Sequence, residues 1–488
     1  MKIRKILLIT PPNITFKLNR DVNPLPPMGL GYLAAVIEQL GIEVDILDAL
    51  MMGWQCEEEV NDSLIRVGLP DKEIENYLRD FDPDIVGINC QFSRQYKIYH
   101  QLFNLVKKVK PDCLTIAGGA HPTVCPEEVL SDPACDFVII GEGEDSFKDF
   151  LLKLTKDEDV TSVDGLGWKS QGEIRINPKQ HWLTDLDAIP FPAYHTMKLE
   201  SYFWLTASHG TRHKERFSPI VTSRGCPAKC TFCSARRVWG DRFRFRSVAN
   251  VLQEMRLLKE RYGIQELMFE DDNVTANPKR AKKIFSGMIE QGFNFIWDTP
   301  NGVGVWSVDE EMLDLMQQSG CVNLNFPVES GSQYVLDNII KKPLNLRKVK
   351  HLIKYCQQIN LNYNMFLVVG LPGETLSDIK QSFRFAAECG CYHPHISVAT
   401  PYPGTQLFAE CVANGYFSKP FALDDLFIRS FMIRTKNHTE SELRRALLKG
   451  QLYLLLKEAM VEPGQVARRI VKHAGNFSKV KRFIRGMS

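Results

Sequence analysis

Three cysteines, Cys226, Cys230 and Cys233, fall at C-x3-C-x2-C spacing within the stretch Arg224-Gly225-Cys226-Pro227-Ala228-Lys229-Cys230-Thr231-Phe232-Cys233. A closed structural zinc site takes four ligands, usually as two C-x2-C-like pairs. No fourth cysteine lies nearby, so three thiolates from one loop point to a metal centre with one position left open. An iron–sulfur cluster with one iron lacking a cysteine ligand fits this donor set best. The alternative is three buried cysteines in an ordinary loop, which leaves the spacing without a purpose.

The elements that must carry this loop follow a repeating strand, loop and helix pattern from Pro219 onward. Residues 220–222 lead into the cysteine loop, and strands are expected at 267–270, 294–297, 321–328, 363–369 and 395–399. Helices are expected from Ser247 to about 262, after the Asn277-Pro278 pair, and at about 309–318, 346–358 and 377–388. Six such units predict a partial (β/α)6 parallel barrel, whose active site lies at the carboxyl ends of the strands. Glu270, Asp271 and Asp272 end the second strand, and Glu329 and Ser330 end the fourth. Carboxylates there stabilise an ammonium group, while serine and backbone N–H groups suit a carboxylate. The competing reading for each is a cap on the following helix.

The N-terminal third is predicted as a doubly wound parallel α/β sheet. Strands are expected at 5–10, 43–47, 85–89, 114–117 and 137–140, with helices at 28–40, 97–108, 127–130 and 145–154. Ligands of such sheets bind at the carboxyl ends of the strands. Gly29-Leu30-Gly31-Tyr32-Leu33-Ala34 has the form G-x-G-x-x-A, but it lies too far beyond the first strand for a dinucleotide fingerprint. Gly118-Gly119-Ala120-His121 and Gly141-Glu142-Gly143-Glu144 sit on the expected binding edge, glycine-rich where side chains would obstruct a bulky ligand.

The cysteine spacing, with Ser-Arg-Gly-Cys before it and Phe232 ahead of the last cysteine, resembles the radical SAM superfamily. In that family the open iron chelates S-adenosylmethionine, and electron transfer cleaves it to a 5′-deoxyadenosyl radical. Phe-Glu-Asp-Asp-Asn, Val-Glu-Ser-Gly-Ser, Gly-Leu-Pro-Gly-Glu-Thr and Pro-Tyr-Pro-Gly-Thr at the strand ends resemble the cobalamin-associated members. The glycine-rich turns and Pro26-Pro27-Met28-Gly29 resemble the cobalamin-binding domain that precedes many of these barrels. The resemblance implies a [4Fe–4S] cluster on Cys226, Cys230 and Cys233. It implies S-adenosylmethionine near Phe232, Glu270, Asp271, Asp272, Glu329, Ser330 and Thr400. It further implies cobalamin against Gln91, Phe92, Ser93, Gly118, Gly119, His121, Gly141, Glu142 and Gly143. The Asp-x-His-x-x-Gly motif of better-known cobalamin proteins is absent, so a corrin without a histidine lower ligand is expected. His121 is read as shaping its loop or bonding to corrin side chains; a cobalamin domain that has lost its cofactor is the other reading.

The expected division is residues 1–154 for cobalamin, 155–214 as an extended linker containing a hairpin, 215–410 for the barrel, and 411–488 as a helical, basic C-terminal region. The resemblance implies C-methylation of an unactivated carbon by way of methylcobalamin, on a small-molecule or lipid-like natural-product intermediate, with an external donor of flavodoxin or ferredoxin type. A cyclase or rearrangement without net methylation, and a non-catalytic cobalamin sensor, are the alternatives. No general base stands out.

With 60 Lys and Arg against 58 Asp and Glu, the formal charge of +2 gives no overall reason for a nucleic-acid partner. No secretory signal or membrane span is visible, and scattered cysteines, odd in number, suit a reducing cytoplasm. A helix is expected at 440–460, with Leu443, Leu447, Leu448, Leu452, Leu455 and Leu456 as its apolar stripe. The seven basic residues beyond Pro463 read as a solvated surface, or alternatively as a peripheral contact with an anionic membrane.

Overall fold

The computed structural model describes residues 2–18, 20, 22–205, 207–426, 431–464 and 466. The polypeptide forms two compact units, one of Met1–Pro227, Ser234–Val274 and Lys279–Pro300, the other of Ala228–Cys233, Thr275–Pro278 and Asn301–Ser488.

In the first unit, β1 (Lys5–Thr10), β2 (Glu43–Asp48), β3 (Ile85–Asn89), β4 (Leu114–Gly118) and β5 (Phe137–Ile139) run parallel in the order β2-β1-β3-β4-β5. Ile6 to Ile9 of β1 are all buried, as an unbroken apolar run in a sheet covered on both faces must be. The helices α1 (Met28–Gln39), α2 (Tyr96–Val109) and α3 (Glu144–Thr155) accompany the sheet. Strand order reverses between β1 and β3, which puts the ligand crevice of this fold at their carboxyl ends. Residues 91–93 follow β3, Gly119 follows β4 and residues 141–143 follow β5.

The hairpin expected within the linker has another role. Its strands β6 (Leu166–Ser170) and β7 (Glu173–Ile176) pair antiparallel, and β6 pairs antiparallel with β5, so they extend the sheet at that edge. Gln171 and Gly172 at the tip have φ of 51° and 82°, the positive pair that a two-residue hairpin turn requires. A second difference is a three-stranded antiparallel sheet of Asn13–Phe16, Leu64–Val67 and Glu57–Glu59. Three consecutive exposed glutamates carry no strand signal by hydropathy. Glu58 stands opposite Arg66 in the ladder and pairs with it at 3.3 Å, an opposite-charge cross-strand pair that favours this register.

The same unit contains β8 (Phe217–Ile220), β9 (Glu266–Phe269) and β10 (Ile296–Asp298), parallel neighbours in that order. Ser247 caps α4 (Val248–Tyr262), accepting from the Asn250 amide at 3.2 Å. α5 (Pro278–Glu290) precedes β10.

In the second unit β11 (Cys321–Glu329), β12 (Tyr363–Val369) and β13 (His395–Val398) are parallel. Asp309 caps α6 (Glu310–Gln318), Asn345 caps α7 (Leu346–Gln358), and a Thr375/Asp378 capping box starts α8 (Leu376–Glu388). A second capping box, Thr439 with Glu442, starts α9 (Glu440–Val461). The leucine stripe of α9 is corrected here. Leu443 is buried, but Leu448, Leu452, Leu455 and Leu456 are exposed. α9 instead turns Leu443, Gly450, Leu454 and Glu458 inward. A Cβ on Gly450 would meet the Phe383 ring of α8 at 2.3 Å, so glycine permits this close approach. Buried Glu458 lies 3.0 Å from His393, which offsets part of the cost of burying its charge. Among the described residues no helix is long and apolar enough to cross a membrane. The basic run from Arg468 to Arg485 lies outside the described residues.

Candidate functional site

The start of the cysteine loop is held by carboxylates from the end of β9. Asp271, 2% exposed, accepts from the Thr222 amide at 3.1 Å and the Thr222 hydroxyl at 2.7 Å, and from the Ser223 hydroxyl. Asp272 accepts the Gly225 amide at 3.1 Å. Burial raises the Asp272 carboxyl to about 6, against the Gly225 hydrogen bond and with help from Asp271. Asn273 points its amide at Cys226 Sγ, 3.9 Å away. Gly225 has φ +81°, and a Cβ there would meet the Arg242 carbonyl at 2.9 Å. The sequence puts Asp271 and Asp272 against S-adenosylmethionine; in the structure these carboxylates restrain the backbone that leads to Cys226.

In the second unit, Cys233 donates its amide to the Cys230 carbonyl at 3.1 Å. Thr231 is pinned by its amide to the Ile340 carbonyl at 3.0 Å and by its hydroxyl to the Ile339 carbonyl at 3.1 Å. Phe232 is half-buried beside it. Cys226 and Cys230 are partly exposed and Cys233 is exposed. Among the described residues no three His, Cys, Asp or Glu side chains converge closely enough to hold a single metal ion.

The other strand-end residues have definite partners. Glu270 lies 2.8 Å from His209 Nδ1, from the segment before β8. Burial opposes the imidazolium, but the Glu270 hydrogen bond prevails and raises the His209 pKa above its usual value. Asp298, at the end of β10, is 6% exposed, and its Oδ1 has no hydrogen-bond partner among the described residues. Burial, then repulsion from Glu266 and Glu270, lifts its pKa to about 7. In the second unit Glu329 adopts φ 68° at the end of β11 and lies 2.7 Å from buried Lys342 Nζ. Ser330 is fully buried with its hydroxyl 3.2 Å from that of Ser382. Thr400 donates its hydroxyl to the Val398 carbonyl at 3.1 Å.

On the N-terminal sheet, Gln91 and Phe92 are exposed, Phe92 by 56%. His121 is fully buried with both ring nitrogens engaged, Nδ1 with Ser93 Oγ at 3.1 Å and Nε2 with Glu128 at 2.9 Å. A Cβ on Gly118 would meet nothing within 4 Å, whereas Gly119 has φ +112° and would meet the Cys90 carbonyl at 2.9 Å. Gly141 is a packing requirement, since a Cβ there would press on Trp182 at 3.0 Å, and one on Gly143 would meet Leu33 at 3.3 Å. Glu142, expected from the sequence to contact cobalamin, is 3% exposed and lies between Arg224 at 2.9 Å and Arg244 at 2.5 Å.

Arg224, Arg244, His209, Asp298 and Lys342 carry no assignment from the sequence alone. Arg224 is visible in Ser-Arg-Gly-Cys, and Glu142 and Glu144 in Gly-Glu-Gly-Glu. The pairing between these two motifs spans some eighty residues and leaves no local signal.

Residues 220–386 match the Radical SAM superfamily model and residues 19–151 the B12 binding domain model. The sequence is 36% identical over 449 residues to cytidylyl-2-hydroxyethylphosphonate methyltransferase of Streptomyces wedmorensis, covering 85% of this chain and 83% of that protein. It is 30% identical to an uncharacterized methyltransferase of Pyrococcus horikoshii, covering 100% of this chain and 98% of that one. The fold resembles TsrM, a radical S-adenosylmethionine methyltransferase from Kitasatospora setae, with TM-score 0.69 and 15% identity, over 90% of this chain and 84% of that one. A B12-binding domain, a radical SAM domain with its three-cysteine loop, and near full-length similarity to methyltransferases place this protein in the cobalamin-dependent radical SAM methyltransferase family.

Proposed function

We propose that this protein methylates an unactivated carbon of a small-molecule or lipid-like natural-product intermediate, drawing electrons from an external flavodoxin- or ferredoxin-type donor. The observation that carries this reading is the direct ion pairing of Arg224, two residues before Cys226, with Glu142 and Glu144 beyond β5. It ties the start of the cysteine loop to the carboxyl edge of the N-terminal sheet, so chemistry begun at one can be completed at the other.

The donor set fits the cofactors. Three thiolates in one short loop suit a cluster with one open iron. On the sheet, Gly118 leaves open the space that a Cβ would fill. When bound, the cluster and S-adenosylmethionine supply a hydrogen-abstracting radical and the corrin supplies the methyl group. Asp271 and Asp272 fix the Thr222-to-Gly225 backbone so that Cys226 is presented in one geometry. Glu270, Phe232, Glu329, Ser330 and Thr400 are assigned to S-adenosylmethionine by their places at or beside strand ends, with Lys342 beside the Glu329 carboxylate as its counter-charge. The corrin is assigned to the crevice beside residues 91–93 and Gly118, without a histidine below the metal. Supporting this, His121 and His100 have both ring nitrogens occupied by protein partners.

The test is anaerobic reconstitution with both cofactors, methyl-deuterated S-adenosylmethionine and a panel of acceptors that includes nucleotidyl phosphonates and polyprenoid lipids. A product bearing the intact labelled methyl group on carbon supports the reading; label found only on oxygen, nitrogen or sulfur contradicts it.

A further inference from the structure

Arg224, Glu142, Glu144 and Arg244 form a cluster of two guanidinium groups and two carboxylates, with side chains 5%, 1%, 8% and 6% exposed. Arg224 Nη1 lies 2.9 Å from Glu142 Oε1, and Nη2 lies 2.5 Å from Glu144 Oε1. Arg244 Nη1 reaches the other Glu142 oxygen at 2.5 Å, and the Leu183 amide donates to that oxygen at 3.2 Å. Further Arg244 donors bond to the Leu183 and Trp239 carbonyls at 2.8 and 2.6 Å. The Arg224 guanidinium also lies 5.3 Å from the Tyr32 ring and 5.2 Å from the Trp239 ring. Burial opposes the charges of Arg224 and Glu144. At Glu144 the Arg224 guanidinium outweighs it and holds the carboxyl below its usual pKa.

Burying four charges is a poor way to gain stability, because desolvation consumes most of the Coulomb gain and well-packed apolar side chains commonly do as well. What a guanidinium forked between carboxylates supplies is direction, since its donors lie in one plane at fixed angles. The two motifs it joins lie at the two cofactor edges: Glu142 and Glu144 at the carboxyl end of β5 and the start of α3, Arg224 at the start of the cysteine loop. We propose that Glu144 and Arg244 are positioning residues: with Arg224 and Glu142 they set the distance between the start of the cysteine loop, up to Cys226, and the corrin edge that methyl transfer from S-adenosylmethionine requires.

The proposal rests on the methyltransferase reading and separates two reactions of the same sulfonium. In methyl transfer the methyl group leaves sulfur, whose bonding pair stays on S-adenosylhomocysteine, and the doubly reduced corrin cobalt supplies the pair for the new bond. In reductive cleavage one electron enters the sulfonium, the C5′–S bond breaks, methionine departs, and the nucleoside fragment takes a hydrogen atom from a thiol added to the assay, such as dithiothreitol, to give 5′-deoxyadenosine. Only the first needs both edges in register. Titanium(III) citrate supplies the electrons for each, and neither measurement requires the acceptor substrate.

The experiment compares wild type, Glu144→Gln and Arg244→Lys, each reconstituted with cluster and cobalamin. Iron, corrin content and the electron paramagnetic resonance spectrum of the reduced cluster with S-adenosylmethionine are read beside both products. The expected result is S-adenosylhomocysteine formation slowed about tenfold or more, the scale of a small misplacement of reacting groups. 5′-Deoxyadenosine formation, cofactor content and the spectrum stay as in wild type. Equal S-adenosylhomocysteine rates in all three proteins would overturn the proposal, as would a proportional fall of both products or loss of cofactor in both variants, which mark a merely structural role. A wild-type holoprotein that makes no S-adenosylhomocysteine would overturn the methyltransferase reading itself, before any variant is compared.

Discussion

Asp272 accepts the backbone amide of Gly225 at 3.1 Å, so a carboxylate at a strand end restrains the residue immediately before Cys226, the first cysteine of the loop. Removing the acceptor leaves that amide without its partner, at a cost of about 1–3 kcal/mol. Asp272→Ala is therefore expected to hold roughly half the wild-type iron or less after reconstitution, given the size of that penalty. Asp272→Asn, which keeps an acceptor oxygen, should load more than the alanine variant. Colorimetric iron and sulfide determination on the three proteins checks this order.

Gly118 and Gly119 are adjacent, yet substitution should separate their roles. A Cβ at Gly118 meets no atom of the described residues within 4 Å, while at Gly119 it meets the Cys90 carbonyl at 2.9 Å on a backbone with φ +112°. Gly119→Ala should lower stability by about 1–3 kcal/mol through strain at positive φ and the close contact. Gly118→Ala should unfold at the wild-type temperature but bind cobalamin more weakly, because its methyl group occupies space assigned to the corrin. Thermal unfolding and absorbance titration with cobalamin read the two effects.

Lys342 and Glu329 form a buried pair at 2.7 Å. Lys342→Met strands the carboxylate, and breaking a buried pair from one side costs about 3–5 kcal/mol. The double variant Glu329→Gln/Lys342→Met should recover part of that loss. Unfolding temperatures of the two single variants and the double variant decide it, since additive losses would show that the pair is not coupled.

Glu374 is fully buried, and its Oε2 accepts from the Gly370 and Leu371 amides at 2.6 and 3.2 Å while Oε1 has no partner among the described residues. Burial, partly offset by those two amides, raises its carboxyl from 4.5 to about 8. Below pH 4.5 both folded and unfolded states hold the proton. Between the two values only the folded state keeps it, so stability falls as pH rises, and above about 8 the full penalty applies. Glu374→Gln carries no charge, and its unfolding temperature should fall less than that of wild type between about pH 4.5 and about pH 8, the window that this linkage sets. Parallel pH curves for the two proteins would contradict this.

The residues themselves show which parts of the fold are legible in the sequence. β1 to β5 can be read because short, buried apolar runs between turn residues have few other uses. The cysteine loop can be read because its spacing serves metal chemistry. The Glu57–Glu59 strand cannot, because its pairing rests on charge pairs with Arg66 and Lys17 and not on hydropathy. The α9 stripe misleads because the inward side of that helix is set by Gly450 against Phe383 and by buried Glu458. At the site, the acids can be placed at strand ends, but not their direction. Asp271 turns to Thr222 and Ser223, and Glu142 to two arginines, choices fixed by tertiary neighbours dozens of residues away.

The most direct measurement is the product balance of the holoprotein, reduced anaerobically with S-adenosylmethionine in the presence and absence of bound cobalamin. The expected result is 5′-deoxyadenosine in both cases and S-adenosylhomocysteine only when cobalamin is present. 5′-Deoxyadenosine without S-adenosylhomocysteine in the cobalamin-loaded protein would contradict methyl transfer and point to radical chemistry without net methylation.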